Sequence, residues 1–156
     1  MTRVYSINEL VEFAIEIEKD GISFYKSLAN KTEQALLKDL YTFLMQQELN
    51  HQVIYESLLA NVKESSNQAN YSDEYNQYMR ALVESIIFNK KDPALKNLSD
   101  DALIIEYAIQ KEKDSILFYK EMLEYVLDKD KKTVEKIIME ERMHIIKLLD
   151  MKEKLG

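Results

Sequence analysis

Residues 14–25 of this chain read AIEIEKDGISFY, and residues 108–119 read AIQKEKDSILFY. The two stretches match at an offset of 94 residues, which superposes Glu18 on Glu112. In both copies the apolar residues recur at helical spacing, and the glutamate interrupts the apolar stripe. The sequence therefore contains a repeated helix that carries a carboxylate on its apolar face.

A second match follows each copy of that helix. Residues 48–51 read ELNH and residues 141–144 read ERMH, at an offset of 93 residues. Residues three apart lie on one helical face, with ~5–6 Å between their Cβ atoms, so that Glu and His can bind one metal ion. A single Glu-x-x-His is a weak signal. However, this chain has two histidines, and each one stands three residues after a glutamate. The pattern predicts a duplicated helical hairpin.

The composition favours long helices joined by few turns, because the chain has two glycines and one proline in 156 residues. We expect one domain over residues 1–156. Ser6 and Glu9 match a capping box at the start of the first helix. Residues 62–70 are predicted to form a loop, and Asp92-Pro93 a short helical turn. The predicted helices span Ser6–Asn30, Thr32–Asn61, Ser72–Asn89, Ser99–Leu127 and Lys129–Lys154.

Charge and cysteine content exclude several classes of function. The net charge of −7 disfavours binding to nucleic acid. The absence of cysteine excludes thiol catalysis, thiolate zinc sites, iron–sulfur clusters and a rubredoxin-type iron centre. No apolar run reaches the ~18 residues that a membrane span requires, so no membrane association is expected. We expect a cytoplasmic protein.

The two hairpins bring their polar residues to similar heights along the bundle, because each Glu and its Glu-x-x-His lie at comparable distances from the intervening turn. Four carboxylates and two imidazoles at one point suit two ions of iron or manganese. Two such metals could act on dioxygen or peroxide. The predicted metal ligands are Glu18, Glu48, His51, Glu112, Glu141 and His144.

Three further residues stand near these ligands. Tyr25 lies two turns beyond Glu18, and Tyr119 lies two turns beyond Glu112, on the same apolar stripes. Their phenols are either contacts of the metal ligands or ordinary core tyrosines. Glu140 points about 100° away from its neighbour Glu141 on the helix, and we expect it to be solvated.

These motifs include EKDGISFY at residues 18–25 and EKDSILFY at residues 112–119. Together they resemble the rubrerythrin branch of the ferritin-like superfamily, and the resemblance covers nearly the whole chain. The resemblance implies an all-α, up-down-down-up four-helix bundle with a long helical crossover between core helices 2 and 3. It also implies a non-haem di-iron centre, held by the six ligands predicted above, that acts on peroxide or dioxygen. A homodimer is expected from the same resemblance.

Two departures from the rubrerythrin pattern bear on activity. Rubrerythrins carry an additional ligand Glu one helical turn after the glutamate that corresponds to Glu112. This chain has Ser115 at that position. They also usually carry a cysteine-rich rubredoxin domain that delivers electrons, whereas this sequence has no cysteine. Turnover would therefore need an external electron donor.

Three functions stay open on the sequence alone. The first is a di-iron oxidoreductase that reduces peroxide or dioxygen. The second is an iron-binding, ferroxidase-type protein without turnover of a specific substrate. The third is a structural helical bundle without metal. A quinone hydroxylase at a membrane surface is disfavoured, because no basic amphipathic face is evident.

Overall fold

The computed structural model describes residues 6–63, 73–86 and 100–156, and all secondary structure in these ranges is helical. The prediction of an all-α fold is confirmed. The predicted turn at Asp92-Pro93 and most of the predicted loop at 62–70 lie outside the described residues. The helices are α1 (Ile7–Lys31), α2 (Ala35–Lys63), α3 (Asp73–Ile86), α4 (Asp101–Leu123) and α5 (Asp128–Leu155).

Local capping explains where the first helix begins. Ser6 Oγ accepts from the Glu9 amide at 3.2 Å, and the Glu9 carboxylate accepts from the Ser6 amide at 3.5 Å. This reciprocal pair is the predicted capping box.

The prediction for the end of α4 is wrong by four residues. The helix ends at Leu123 rather than at Leu127, because the Tyr125 amide bonds to the Met122 carbonyl and tightens the chain into a turn. Burial of Val126 then fixes this turn against the core. A periodic apolar pattern continues through such a turn, so the sequence did not mark it.

The four long helices form two antiparallel hairpins, in which α1 packs mainly on α2 and α4 packs mainly on α5. The first half of α1 shares a hydrophobic cluster with the second half of α4, as Val11 and Phe118 illustrate. The second half of α1 meets the first half of α4, where Tyr25 and Ile105 lie in another cluster. Therefore α1 and α4 are antiparallel, and the bundle runs up-down-down-up.

The hydrophobic core is divided into two clusters. One lies at the end where α1 begins, and α3 from the crossover packs there through Met79, Val83 and Ile86. The Lys111 ammonium also donates to the Ser85 carbonyl of α3 at 2.7 Å. The other cluster lies at the end where α1 finishes. The interruptions in the apolar stripes fall between the two clusters, so they form a polar layer inside the bundle.

Each of the four long helices also carries exposed charged residues, for example Lys26, Asp39, Lys113 and Lys147. Among the helices in the described part of the chain, none has an apolar stretch sufficient to cross a lipid bilayer.

Candidate metal centre

Six ionisable side chains meet in the polar layer between the two hydrophobic clusters. Each of the four long helices contributes, because every apolar stripe faces the bundle axis at this height. Every one of these six residues is at most 4% exposed. They are Glu18 on α1, Glu48 and His51 on α2, Glu112 on α4, and Glu141 and His144 on α5. The structure therefore brings together all the residues that the sequence predicted as ligands.

These side chains divide into two overlapping groups of four. In each group the potential ligand atoms all lie within 4.8 Å of one another. One group is Glu18, Glu48, His51 and Glu141, and the other is Glu48, Glu112, Glu141 and His144. Glu48 and Glu141 belong to both groups. The arrangement follows the sequence repeat. Each hairpin has one glutamate that belongs to one group only and a second glutamate that belongs to both groups.

The two imidazoles turn their Nδ1 atoms toward the carboxylates. His51 Nδ1 lies 2.7 Å from Glu141 Oε1 and 3.5 Å from Glu18 Oε1. His144 Nδ1 lies 3.3 Å from Glu48 Oε1 and 3.6 Å from an oxygen of Glu112. The two rings stack with their centroids 5.8 Å apart. Each hairpin's histidine thus contacts a glutamate of the other hairpin as well as one of its own.

Two buried tyrosines donate hydrogen bonds to Glu18 and Glu112. We call these two residues the outer glutamates, because each belongs to one ligand group and not to both. Tyr25 Oη donates to Glu112 Oε1 at 2.7 Å, and Tyr119 Oη donates to Glu18 Oε1 at 2.6 Å. Burial, followed by the negative charges of the nearby glutamates, raises the pKa of both phenols well above 10. Both hydroxyls therefore stay protonated as donors. The bonds cross between hairpins, so each phenol contacts the carboxylate of the other repeat rather than the one on its own stripe.

Burial sets the protonation of the carboxylates. It raises the pKa of Glu18 well above its ordinary value, and the neighbouring charge of Glu48 adds to the shift. It also raises the pKa of Glu112 to about 8, and Glu141 adds to that shift. Burial and the negative charge of Glu48 act in the same direction on Glu141, but the neighbouring Glu112 carboxyl and the two imidazoles outweigh them and lower the pKa of Glu141 below its usual value. Without metal, the layer therefore retains protons.

The histidines carry positive charge in the metal-free protein because carboxylates surround them. Burial by itself would lower the pKa of His51, but the adjacent carboxylates of Glu141 and Glu18 outweigh it and raise the pKa to about 12. The carboxylates of Glu112 and Glu141 likewise raise the pKa of His144, against the effect of burial. Two imidazolium groups therefore offset part of the negative charge when no other cation is bound.

The donor set matches the chemistry of two divalent cations. Several buried ligand atoms lie close to one another but form no well-directed hydrogen bond among the described residues: Glu18 Oε2, Glu48 Oε1, Glu112 Oε2, both oxygens of Glu141, and Nδ1 of each histidine. Polar atoms buried without a partner are costly, and a bound cation would satisfy them together. Two divalent cations would also balance four carboxylate charges. A mixed carboxylate and imidazole set suits iron or manganese.

The expectation that Glu140 is solvated is wrong. Its side chain is 33% exposed, and its Oε2 lies 2.7 Å from His51 Nε2. The turn of about 100° from Glu141 directs Glu140 toward α2 rather than away from the bundle. Helical periodicity places Glu140 four residues before His144, near the same helical face, but it does not show the contact with His51 on another helix.

The position one turn after each outer glutamate is occupied by a small residue. A Cβ atom placed on Gly21 would lie 3.2 Å from Glu48 Oε2, so this glycine leaves room for the shared carboxylate. The corresponding residue of the second repeat is Ser115, which is buried and donates to the Lys111 carbonyl at 2.9 Å. The Ser115 hydroxyl is thus engaged with its own helix.

Comparison with known proteins agrees with the fold and gives the family. A family model described as rubrerythrin matches residues 9–152 of the chain. Among solved structures, a protein of Thermotoga maritima, provisionally described as a ferritin-like diiron-carboxylate protein, is similar with a TM-score of 0.75 and 24% identity. That match covers 100% of both chains, and at this identity it shows the fold. The search of curated proteins found no match.

Proposed function

Since the chain belongs to the rubrerythrin family, we propose that it is a di-iron oxidoreductase that reduces hydrogen peroxide or dioxygen. The observation that supports this proposal most is the overlap of the two buried ligand groups at Glu48 and Glu141. Carboxylates common to two groups can hold two metal ions close together, at the ~3.5–4 Å separation typical of two-metal sites.

The assignment of ligands follows from these groups. Glu18 and His51 would hold one iron ion, Glu112 and His144 would hold the other, and the two remaining glutamates would contact both. When bound, two iron ions can supply two electrons together, which is the number that the reduction of peroxide to water requires.

The chain's own residues orient and shield the centre. Tyr25 and Tyr119 fix one oxygen of each outer glutamate, which leaves the other oxygen of each for a metal. The hydrophobic clusters above and below the polar layer exclude bulk water. Reducing equivalents would reach the centre from a donor outside these 156 residues, since they contain no cysteine that could bind an iron centre of the rubredoxin type.

A specific test uses protein loaded with two equivalents of Fe(II) without oxygen. On addition of H2O2, we expect near-ultraviolet absorbance from ferric iron and stoichiometric loss of peroxide. With a chemical reductant present, peroxide should be consumed over many cycles. His51→Ala should abolish both effects, while a variant of the exposed Glu135, Glu135→Gln, should retain them. Persistence of peroxide with fully loaded protein would contradict the proposal.

The second candidate is an iron-binding protein of the ferroxidase type that does not turn over a specific substrate. It is favoured by one observation: Ser115 stands where rubrerythrins carry an additional ligand, and its hydroxyl is bonded to its own helix. Such a protein would oxidise its iron once, and added reductant would not sustain peroxide consumption. The multiple-cycle measurement therefore separates the two functions.

A further inference from the structure

The two histidines of the centre differ in what contacts their outer nitrogen atoms. His51 Nε2 lies 2.7 Å from Glu140 Oε2, on the side of the ring opposite the metal-facing Nδ1. A carboxylate only accepts hydrogen bonds, so the hydrogen in this bond is on Nε2. The contact fixes both the orientation of the ring and the tautomer in which Nδ1 is free to bind a cation.

His144 has no equivalent contact. Its Nε2 is buried and has no hydrogen-bond partner among the residues that the structure describes. The edge of this ring packs near Phe43, with the ring centroids 6.4 Å apart and nearly perpendicular. In the sequence repeat, the position that corresponds to Glu140 is Gln47, which has no negative charge. The asymmetry is therefore encoded in the sequence although the six ligands are symmetric.

We propose that Glu140 is a positioning residue for His51, and that it makes the two metal positions unequal in affinity. The position formed by Glu18 and His51 binds its cation more tightly than the position formed by Glu112 and His144. A carboxylate that accepts from a ligating imidazole orients the ring and makes it a stronger donor to the metal. Within residues 6–63, 73–86 and 100–156, only His51 has that support. This inference rests on the proposed function, since it requires that the centre binds metal.

The test is an anaerobic titration with Co(II), followed by its visible absorption, in the full-length wild-type chain. We expect two binding steps of different affinity. His51→Ala should remove the tighter step, and His144→Ala should remove the weaker one. Glu140→Ala should weaken the tighter step by roughly 10- to 100-fold and leave the other step unchanged. The matched control is Glu135→Gln, which removes one negative charge from an exposed position on the same helix.

A second readout reports on the proton itself. In Zn(II)-loaded protein with 15N-labelled histidine, His51 should give a hydrogen-bonded Nε2–H resonance that Glu140→Ala shifts upfield, without a change at His144. Equal affinities in the wild type, an unchanged tight step in Glu140→Ala, or the same effect from Glu135→Gln would overturn the inference. If the wild-type chain binds no Co(II), the proposed function itself fails. Two equal sites would leave that function intact and refute only the role of Glu140.

Discussion

Tyr25 on α1 donates a 2.7 Å hydrogen bond to Glu112 on α4, 87 residues further along the chain. Tyr119 on α4 makes the reciprocal bond of 2.6 Å to Glu18 on α1. Each hairpin thus orients the outer carboxylate of the other hairpin. Because the two bonds connect the repeats directly through the polar layer, the geometry of each metal position depends on both halves of the chain.

Replacing Tyr25 with Phe should destabilise the metal-free protein. The substitution leaves a buried oxygen of Glu112 without its donor, which costs about 1–3 kcal/mol of unfolding free energy. Tyr55→Phe is the matched control, because the Tyr55 hydroxyl is equally buried and has no hydrogen-bond partner among the described residues. Denaturant unfolding of both variants checks the prediction. Equal effects at the two positions would show that the bond to Glu112 contributes nothing.

The shared glutamates should affect metal binding differently from the outer ones. Glu48→Ala removes a ligand from both groups, so both equivalents of metal should bind more weakly. Glu112→Ala removes a ligand from one group, so one equivalent should retain its affinity. Calorimetric titration with Mn(II) distinguishes these patterns. If Glu112→Ala weakened both equivalents to the same extent as Glu48→Ala, the division into two groups would be wrong.

Gly21→Ala should lower metal affinity even though alanine is the better helix former by about 1 kcal/mol. The added methyl group would lie 3.2 Å from Glu48 Oε2 and would push that carboxylate out of position. Ser115→Ala is the control from the other repeat, since it adds no volume. We expect the metal-free thermal midpoint of Gly21→Ala to equal or exceed that of the wild type, while its metal-induced stabilisation becomes smaller. An undiminished metal-induced shift would refute the steric argument.

Stability of the metal-free protein should fall as the pH rises from 6 to 9. The pKa of Glu112 is raised from 4.5 to about 8 in the folded protein. Its contribution to the free energy of unfolding is therefore complete below pH 4.5 and is lost as the pH rises through 8. The pKa of His51 is raised from 6.5 to about 12, so its contribution declines above pH 6.5 and is lost at about 12. Thermal unfolding at intermediate pH values checks this trend.

In the presence of metal, the stability of the protein should increase rather than fall as the pH rises. Cation binding displaces protons from the ligands and is therefore favoured at higher pH. Proton release on addition of Mn(II), measured in weakly buffered solution, should accompany binding. Glu112→Gln should reduce the loss of metal-free stability between pH 6 and 8. Metal-free stability that increases with pH over this interval would contradict the assigned shifts.

The helices and the two hairpins could be predicted from the sequence because their main signals are local, whereas the up-down-down-up topology was expected from the resemblance to a known family. The capping box at Ser6 and the apolar stripes depend on residues that are close in the chain, and the two antiparallel hairpins follow from the short turns at 32–34 and 124–127. The six clustered side chains were found for a related reason, since each interrupts a stripe that must face the bundle axis. The end of α4 was missed because it depends on a backbone bond from Tyr125 to Met122.

The contacts around the site could not be predicted in the same way. Helical periodicity gives the direction of a side chain on its own helix, but the rotation and tilt of the neighbouring helices decide what it meets. The stripe containing Tyr25 left open whether its phenol contacts a ligand at all, whereas the antiparallel packing of α1 on α4 directs the phenol to Glu112. The same reasoning explains Glu140, whose contact with His51 depends on how α5 is rotated against α2.

The central claim is that the six buried side chains form a centre for two metal ions. The most direct measurement is an anaerobic titration with Fe(II), in which free iron is separated from the protein and the bound iron is determined by mass spectrometry. The account predicts saturation at two iron ions per chain in the wild type and none retained by the double variant His51→Ala/His144→Ala. Saturation below one ion per chain, or equal iron in both proteins, would contradict it.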